Sequence, residues 1–191
     1  MSDTAQRITW ECGKVAAERI VHALHRGCER IEIAGSLRRL KSDIGDIEIV
    51  AIPKRVGLME DSALDPILQE MVASATLHRI KNGEKYKQFI IMEGVAAGCK
   101  LDLFLAEPST WGVIFTIRTG PAEFSHRMVT QRWKGGTLPD ELAFKDGRIW
   151  QGVQWNGATA IFTEAEMLDT PTEAEVFRVC EMKWVEPKDR K

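Results

Sequence analysis

Two acidic residues, Asp46 and Glu48, stand two positions apart in residues 46–52 (DIEIVAI), a run closed by Pro53. Isoleucines fill the alternate positions, which is typical of a β-strand with one apolar face. Successive side chains of a strand point to opposite faces, so both carboxylates lie on the same face. A chain with this pattern must build a sheet that has a core on one side and paired acids on the other.

A third acid, Asp102, lies in a later apolar run, residues 100–106 (KLDLFLA). If this strand lies beside the first, three carboxylates converge on one face of the sheet. Phosphoryl transfer uses such a group, because Mg²⁺ prefers oxygen ligands and shares them with substrate phosphates. Asp46, Glu48 and Asp102 are therefore candidate catalytic residues and metal ligands.

A second candidate element, Gly35-Ser36, follows the predicted strand at residues 30–34. A glycine lets the backbone approach a phosphate closely, and the serine hydroxyl can donate to it. Arg38 and Arg39 would add charge-assisted donors. Each motif alone has a structural explanation, since an Asp-x-Glu strand is usually a solvated face, Gly-Ser a turn and an arginine pair a surface feature. Their combination in order favours a functional site.

The predicted order is helix, strand, strand, helix and then several strands, which favours an α+β fold with a mixed sheet. We expect two subdomains, residues 1–106 and 107–191. In the first we expect helices at 8–24 and 63–75 and strands at 30–34, 46–52, 77–81, 85–92 and 100–106. In the second we expect helices at 109–117, from Pro121 to about 135, and at 172–180 with Thr172 as N-cap, and a hairpin at Asp146-Gly147.

The net charge is −2, so any nucleic-acid surface must arise from local clustering of cations rather than from an overall basic excess. Four cysteines occur without a C-x-x-C pair, and free thiols in a reducing cytosol are expected. No apolar run has the length of a membrane span. We therefore expect a cytoplasmic protein (for a viral one, in the virion or host cytoplasm) that acts as a monomer without a membrane partner.

These residues resemble the family X DNA polymerases, within the nucleotidyltransferase superfamily. The resemblance covers about residues 28–191. The family pattern is Gly-Ser, two arginines, G-D-x-D on a strand, a later lone Asp, a T-G turn and an E-P-x-x-R ending. It is carried by Gly35-Ser36, Arg38-Arg39, Gly45-Asp46-Ile47-Glu48, Asp102, Thr119-Gly120 with Phe124, and Glu186-Pro187 with Arg190.

The resemblance implies a nucleotidyltransferase palm in residues 1–106 and a small C-terminal α+β subdomain in residues 107–191 that closes over the nucleotide. It implies transfer of a nucleotide from a dNTP to a primer 3′ hydroxyl on primer–template or gapped DNA, in gap-filling repair. Two Mg²⁺ ions per site, with Mn²⁺ as an alternative, would be held by the three carboxylates. Nucleotide binding is implied for Gly35, Ser36, Arg39, Gly45, Thr119 and Gly120.

The chain departs from the family pattern at three points. Glu48 stands where the polymerases carry an aspartate, and Ile117-Arg118 replaces an aromatic pair before the T-G turn. The sequence has no room for the N-terminal lyase and helix-hairpin-helix modules, so we expect a minimal member. The alternative is a template-independent or non-DNA nucleotidyltransferase with the same palm chemistry, and a third interpretation is an inactivated palm that only binds.

Two further sets of residues have open interpretations. Lys81, Lys85 and Lys87 precede Asp102 and either carry primer phosphates or form a solvated hairpin. Trp150 and Trp155 either pack within the C-terminal subdomain or stack on nucleic-acid bases. Packing is the expected role for the tryptophans.

Overall fold

The structure, a computed structural model, describes residues 6–57 and 61–191. The chain divides into two compact units, Met1–Ala106 and Glu107–Lys191. Each unit has a hydrophobic core of its own. Their combined helices and strands confirm the α+β class and the mixed sheet predicted from the sequence.

The first unit contains three α-helices and nine strands in its described part. The helices are α1 (Trp10–Leu24), α2 (Gly35–Arg38) and α3 (Leu64–Ala73), and the strands are β1 (Ile8–Thr9), β2 (Cys28–Ile33), β3 (Asp43–Ile44), β4 (Asp46–Pro53), β5 (Arg55–Val56), β6 (Asp61–Ser62), β7 (Leu77–Asn82), β8 (Tyr86–Ile91) and β9 (Lys100–Leu105).

Five strands form the main sheet in the order β2-β4-β9-β8-β7. The central pair, β4 and β9, is parallel, and the other pairs are antiparallel. Short antiparallel pairs join β1 to β3 and β5 to β6. The parallel pair matters most for the site, because it sets residues of β4 directly beside residues more than fifty positions later in the chain.

One face of this sheet is covered by α1 and α3, whose apolar stripes pack on it. Thr9 is the N-cap of helix α1. Its side chain accepts a hydrogen bond from the Cys12 amide and so satisfies one of the free N–H groups of the first turn. The inward residues of β4, β9 and β8 are fully or almost fully buried: Ile47, Ile49, Leu101, Leu103, Phe89 and Ile91. Asp46, Glu48, Gln88 and Asp102 face the other way, whereas Lys87 of β8 shares the face of Phe89.

The second unit contains three α-helices, a three-stranded sheet and a separate hairpin. The elements are α4 (Trp111–Thr119), α5 (Ala122–Met128), β10 (Ala143–Lys145), β11 (Arg148–Gln151), β12 (Gln154–Asn156), β13 (Thr159–Ile161), β14 (Glu166–Leu168) and α6 (Glu173–Val179). The sheet order is β10-β11-β14, and β12 pairs with β13. The Asp146-Gly147 hairpin and the Thr172 N-cap, which accepts from the Glu175 amide, are both confirmed.

The helix predicted to run from Pro121 to about residue 135 is shorter than expected. It corresponds to α5, which ends at Met128. The Thr130 hydroxyl donates to the carbonyl of His126, which satisfies a terminal acceptor of the helix at 2.7 Å. Gln131 is then buried and its amide donates to the Leu142 carbonyl. The first of these hydrogen bonds caps the end of the helix, and the second holds Gln131 against a distant segment. Together they account for the end of the helix at Met128.

Among residues 6–57 and 61–191, no helix is long and apolar enough to cross a membrane. Cys12, Cys28, Cys99 and Cys180 are free thiols, as expected from their spacing.

Candidate functional site

The three predicted carboxylates lie on one face of the five-stranded sheet. Glu48 of β4 is the direct partner of Asp102 of β9 in the parallel pairing. Asp46 precedes Glu48 by two residues and so projects from the same face. All three side chains are half-buried, whereas the intervening Ile47 and Leu101 are fully buried on the opposite face. The alternation of the two strands thus fixes the acids outside the core.

Like charges act on one another within this group. Burial raises the pKa of the Asp46 carboxyl above its ordinary value, and the neighbouring Asp102 carboxylate raises it further. Arg39 opposes this by lowering the pKa, followed by Arg7 and then Lys100. Asp46 and Asp102 therefore repel each other in a setting that cations partly neutralise.

Arg39 is the cation with the strongest such effect on Asp46, and it also interacts with Glu48. Burial lowers the pKa of the Arg39 guanidinium, while Glu48 and then Asp46 raise it. Its ordinary pKa is so high that the group stays charged at neutral pH. The carboxylate face therefore carries a fixed positive charge next to the Gly35-Ser36 turn.

That turn packs directly against Glu48. Gly35 has a φ of +62°, in the left-handed region that glycine adopts without strain, and a Cβ at this position would collide with the Glu48 carboxylate. The Ala34 amide also donates to the Glu48 carbonyl at 2.9 Å. The turn is therefore held against β4, and only glycine fits at position 35.

The hydroxyl of Ser36 has unmet hydrogen-bonding capacity. Its Oγ is buried and has no hydrogen-bond partner among residues 6–57 and 61–191. A buried polar atom without a partner costs free energy, about 1–3 kcal/mol by mutational data, which a ligand with an acceptor oxygen would recover. Ser36 directly follows Gly35, the residue that packs against Glu48.

Gly45 precedes the first acid and lies near a further cation. A Cβ at Gly45 would lie 3.2 Å from Nη1 of Arg7, whose guanidinium pairs with Asp43. The sequence patterns do not single out Arg7. Its signal there is weak, because a lone arginine before a helix is usually a surface residue.

Two other residues missed by sequence reasoning hold Asp102. The Tyr86 hydroxyl donates to Asp102 Oδ1 at 2.7 Å, and the Gln88 amide donates to the same oxygen at 2.8 Å. Gln88 is the antiparallel partner of Asp102. The ring of Tyr86 stacks on Phe104 at a centroid distance of 5.0 Å. The two donors fix the rotamer of Asp102. The sequence signal for them was their spacing of two positions in residues 86–88, which places both on the same face of a strand.

The three lysines proposed to contact DNA occupy different environments. Lys81 and Lys85 are exposed, and Lys81 Nζ lies 5.6 Å from the ring centroid of Tyr86. Lys87 is 5% exposed, donates to Asn82 at 2.8 Å and pairs with Asp65 of α3 at 3.1 Å. Lys87 shares its face with Phe89, on the core side of the sheet. We therefore assign Lys87 a structural role and keep only Lys81 and Lys85 as candidates for phosphate contact.

Thr119 and Gly120 belong to the second unit, at the end of α4. Thr119 is fully buried. A Cβ at Gly120 would lie 2.5 Å from Phe124 Cδ1 and 2.7 Å from Ser125 Oγ, so close packing against α5 requires glycine. Ile117 packs against the core of this unit, and its carbonyl accepts from Ser125 at 2.6 Å. The side chains at this turn thus support the local fold.

The donor set on the sheet suits a hard cation in its chemistry. Mg²⁺ and Mn²⁺ take carboxylate oxygens, and a bound cation would relieve the repulsion between Asp46 and Asp102. Glu48 lies against Gly35, and one oxygen of Asp102 is already engaged by two donors. Within the described ranges, no group of three or more His, Cys, Asp or Glu side chains is arranged to hold a metal ion.

No family model matches the chain, and no curated protein matches it significantly.

Proposed function

We propose that this protein is a nucleotidyltransferase of the family X polymerase type, which transfers a nucleotide from a dNTP to a primer 3′ hydroxyl in gap-filling synthesis. The pairing of Glu48 with Asp102 across two parallel strands, with Asp46 on the same face, carries this proposal. Phosphoryl transfer depends on positioning and on compensation of negative charge. Acids for cation binding and cations for phosphate binding lie together on this face.

Asp46, Glu48 and Asp102 would hold the divalent ions, two per site, as Mg²⁺ or Mn²⁺. When bound, such ions neutralise the triphosphate and lower the pKa of the attacking hydroxyl. The raised pKa of Asp46 supports this assignment, because a carboxylate destabilised by its neighbour gains from a cation.

Ser36 and Arg39 would bind the triphosphate. The buried Ser36 hydroxyl lacks a protein partner within the described residues and can donate to a phosphate oxygen. Arg39 supplies charge-assisted donors beside Glu48 and Asp46. A phosphate bound between them adds negative charge to a face on which Asp46 and Asp102 already repel each other. The nucleotide and the cations are therefore expected to bind together.

Asp102 would accept the proton of the primer 3′ hydroxyl. In the reaction the primer oxygen forms a bond to the α-phosphorus, the bond from that phosphorus to the bridging oxygen breaks, and pyrophosphate leaves. Tyr86 and Gln88 both donate to Oδ1 and so keep the Asp102 carboxylate in one orientation. A carboxylate that is already oriented loses less conformational entropy when it reaches the reactive geometry.

The test is primer extension on three DNA substrates, a one-nucleotide gapped duplex, a blunt duplex and a single strand, with each dNTP in turn and Mg²⁺ or Mn²⁺. We expect extension of the gapped duplex by the complementary dNTP. Asp46→Ala and Asp102→Ala should each lower the single-turnover rate by about 10³-fold or more, since several kcal/mol of charge stabilisation are lost. Asp61→Ala, at an exposed acid of β6, is the matched control and should extend normally.

Three outcomes would change the proposal. Near-normal extension by either carboxylate variant would overturn the assignment of the site. Addition of any dNTP without a template would replace gap filling by template-independent transfer. Failure to extend any of the three DNA substrates would exclude DNA as the acceptor and would favour transfer to another kind of acceptor.

A further inference from the structure

The second unit contains a cavity of about 620 Å³, and all the residues that line it belong to this unit. It is lined by the β12–β13 hairpin, by β10, by the end of α5 and by the segment that follows α5. This volume is in the range of cavities that hold a compact organic ligand. Trp155, Lys134, Phe162 and Lys145 supply its principal aromatic and cationic groups.

Two aromatic rings and a lysine meet at Trp155, which lines the cavity. Trp155 lies edge-to-face with Trp133, with ring centroids 5.9 Å apart. The ammonium of Lys134 lies 4.5 Å from the Trp133 ring centroid and 5.3 Å from that of Trp155. It also donates to the Ala158 carbonyl in the turn of the hairpin. Trp133 is half exposed and is not itself one of the residues that line the cavity.

A second lysine, Lys145, also lines the cavity. Lys145 Nζ is 4.7 Å from the ring centroid of Phe162, whose other neighbour is Trp150 at 5.8 Å. None of the described residues that line the cavity is an aspartate or glutamate. The lining therefore pairs positive charge with aromatic surface at two places.

The indole of Trp155 also has a free donor. Its Nε1 is buried and has no hydrogen-bond partner within the part of the chain that the structure describes. Tryptophan N–H groups usually find a partner when they are buried. By contrast, Trp150 Nε1 donates to the Lys145 carbonyl and is satisfied within the fold. Trp155 thus contributes an aromatic ring to the lining and has a hydrogen-bond donor that the fold leaves unsatisfied.

We propose that this cavity binds a nucleotide of single-stranded DNA, with the base against the ring of Trp155 and the adjoining phosphates at Lys134 and Lys145. Stacking on aromatic rings combined with cationic contact to the backbone is the general mode of single-strand binding. An acidic peptide would use the two lysines but would leave the aromatic surface and the indole donor unused. A free nucleotide shares the chemistry of the strand and is separated from it by experiment.

The test measures binding to the full chain in EDTA, so it does not depend on nucleotide transfer. A labelled oligothymidylate about ten nucleotides long spans a typical single-strand site. Anisotropy titrations compare the wild type with Trp155→Leu, Trp155→Phe and the double variant Lys134→Gln/Lys145→Gln. Lys183→Gln, at an exposed lysine of the same unit that does not line the cavity, is the matched control. Competition with dTMP and with a polyglutamate peptide separates the ligand classes.

We expect Trp155→Leu to weaken binding at least about fivefold, and Trp155→Phe, which keeps a ring, to weaken it less. The lysine double variant should make the plot of log affinity against log salt shallower by about 0.7 for each phosphate that is no longer neutralised. Because both lysines are exposed, this variant keeps the test valid even if a tryptophan variant unfolds.

Unchanged affinity and salt slope in the lysine double variant would overturn the site, as would equal displacement by polyglutamate. If dTMP displaces the oligonucleotide at the same concentration of nucleotide units, the cavity binds free nucleotides. Single-stranded DNA would then be excluded as its ligand. A protein that binds the oligonucleotide here and transfers no nucleotide would contradict the proposed function alone.

Discussion

The Tyr86 hydroxyl donates a 2.7 Å hydrogen bond to Oδ1 of Asp102, the same oxygen that accepts from Gln88. Tyr86 acts on the proposed reaction through Asp102, so it is a positioning residue. Its stacking on Phe104 holds the phenol in place. The orientation of the carboxylate thus depends on the strand next to β9 as well as on β9 itself.

Tyr86→Phe should keep the stacked ring and lose only the hydroxyl. We expect a loss of about 10- to 100-fold in the extension rate or in affinity for Mg²⁺, the usual effect of removing a group that orients a metal-binding side chain. Single-turnover extension across a Mg²⁺ titration, together with thermal melting, measures both. Gln88→Leu should act in the same direction. A lower melting temperature with unchanged Mg²⁺ dependence would mean that Tyr86 is only structural.

The raised pKa of Asp46 predicts a stability change with pH. The folded protein binds the Asp46 proton more tightly than the unfolded chain does, so this group destabilises the fold as pH rises from about 3.8, its ordinary value, through its raised folded pKa. Asp46→Asn should therefore raise the melting temperature at neutral pH, with a gain that shrinks towards pH 3.8 and vanishes below it. Melting curves in EDTA across this range give the measurement.

Glu84→Gln, at an exposed acid, controls for the loss of one negative charge. Addition of Mg²⁺ should raise the melting temperature of the wild type more than that of Asp46→Asn, because an ion stabilises only the state that binds it. If Asp46→Asn melts at a lower temperature than the wild type in EDTA, the repulsion described here does not govern its stability.

Gly35→Ala should damage both stability and activity. Alanine at φ +62° is strained by about 1–2 kcal/mol, and its Cβ collides with the Glu48 carboxylate. Glu48→Asp shortens the colliding side chain and should retain activity with an altered preference between Mg²⁺ and Mn²⁺, since Mg²⁺ is strict about its geometry. The double variant should recover part of the stability lost in Gly35→Ala. Strictly additive losses in denaturant unfolding would show that the two residues do not interact.

Lys81 and Lys87 should respond in opposite ways to substitution. Lys87→Met removes a buried hydrogen bond to Asn82 and an ion pair with Asp65, and should cost about 1–3 kcal/mol of unfolding free energy while leaving DNA binding unchanged. Lys81→Gln should leave stability unchanged and make the salt dependence of duplex binding shallower by about 0.9 if it contacts a phosphate. Salt titrations of duplex binding and denaturant unfolding of both variants measure these effects. A shallower salt dependence in Lys87→Met with unchanged stability would make Lys87 the DNA contact.

Arg190 is expected to stabilise the second unit. Its guanidinium is 2% exposed, pairs with Glu173 at 2.8 Å and lies within 5.5 Å of the ring centroids of Phe124, Phe177 and Trp184. Arg190→Ala leaves Glu173 buried without this partner and should cost about 3–5 kcal/mol. Lys188→Ala, at an exposed position nearby, is the control in denaturant unfolding. A cost below about 1 kcal/mol would show that the buried pair is replaceable.

Local patterns in the sequence predicted the strands and the shared face of Asp46 and Glu48, because alternation with isoleucine is a property of the strand itself. The same rule, applied to Lys87-Gln88-Phe89, would have placed Lys87 in the core. It could not have selected Tyr86 and Gln88 as partners of Asp102, because that requires the register between β8 and β9. The early end of α5 and the cavity at Trp155 likewise depend on contacts between distant segments.

The parallel pairing of β4 with β9 has a consequence for folding. Glu48 and Asp102 are 54 positions apart, and β9 is the central strand that joins β4 to β8. The carboxylates can meet only after β9 has paired with β4, which closes a loop of more than fifty residues between them. Such long-range pairing is slow compared with local structure. Refolding experiments should therefore recover helical signal before they recover any capacity to bind a divalent ion.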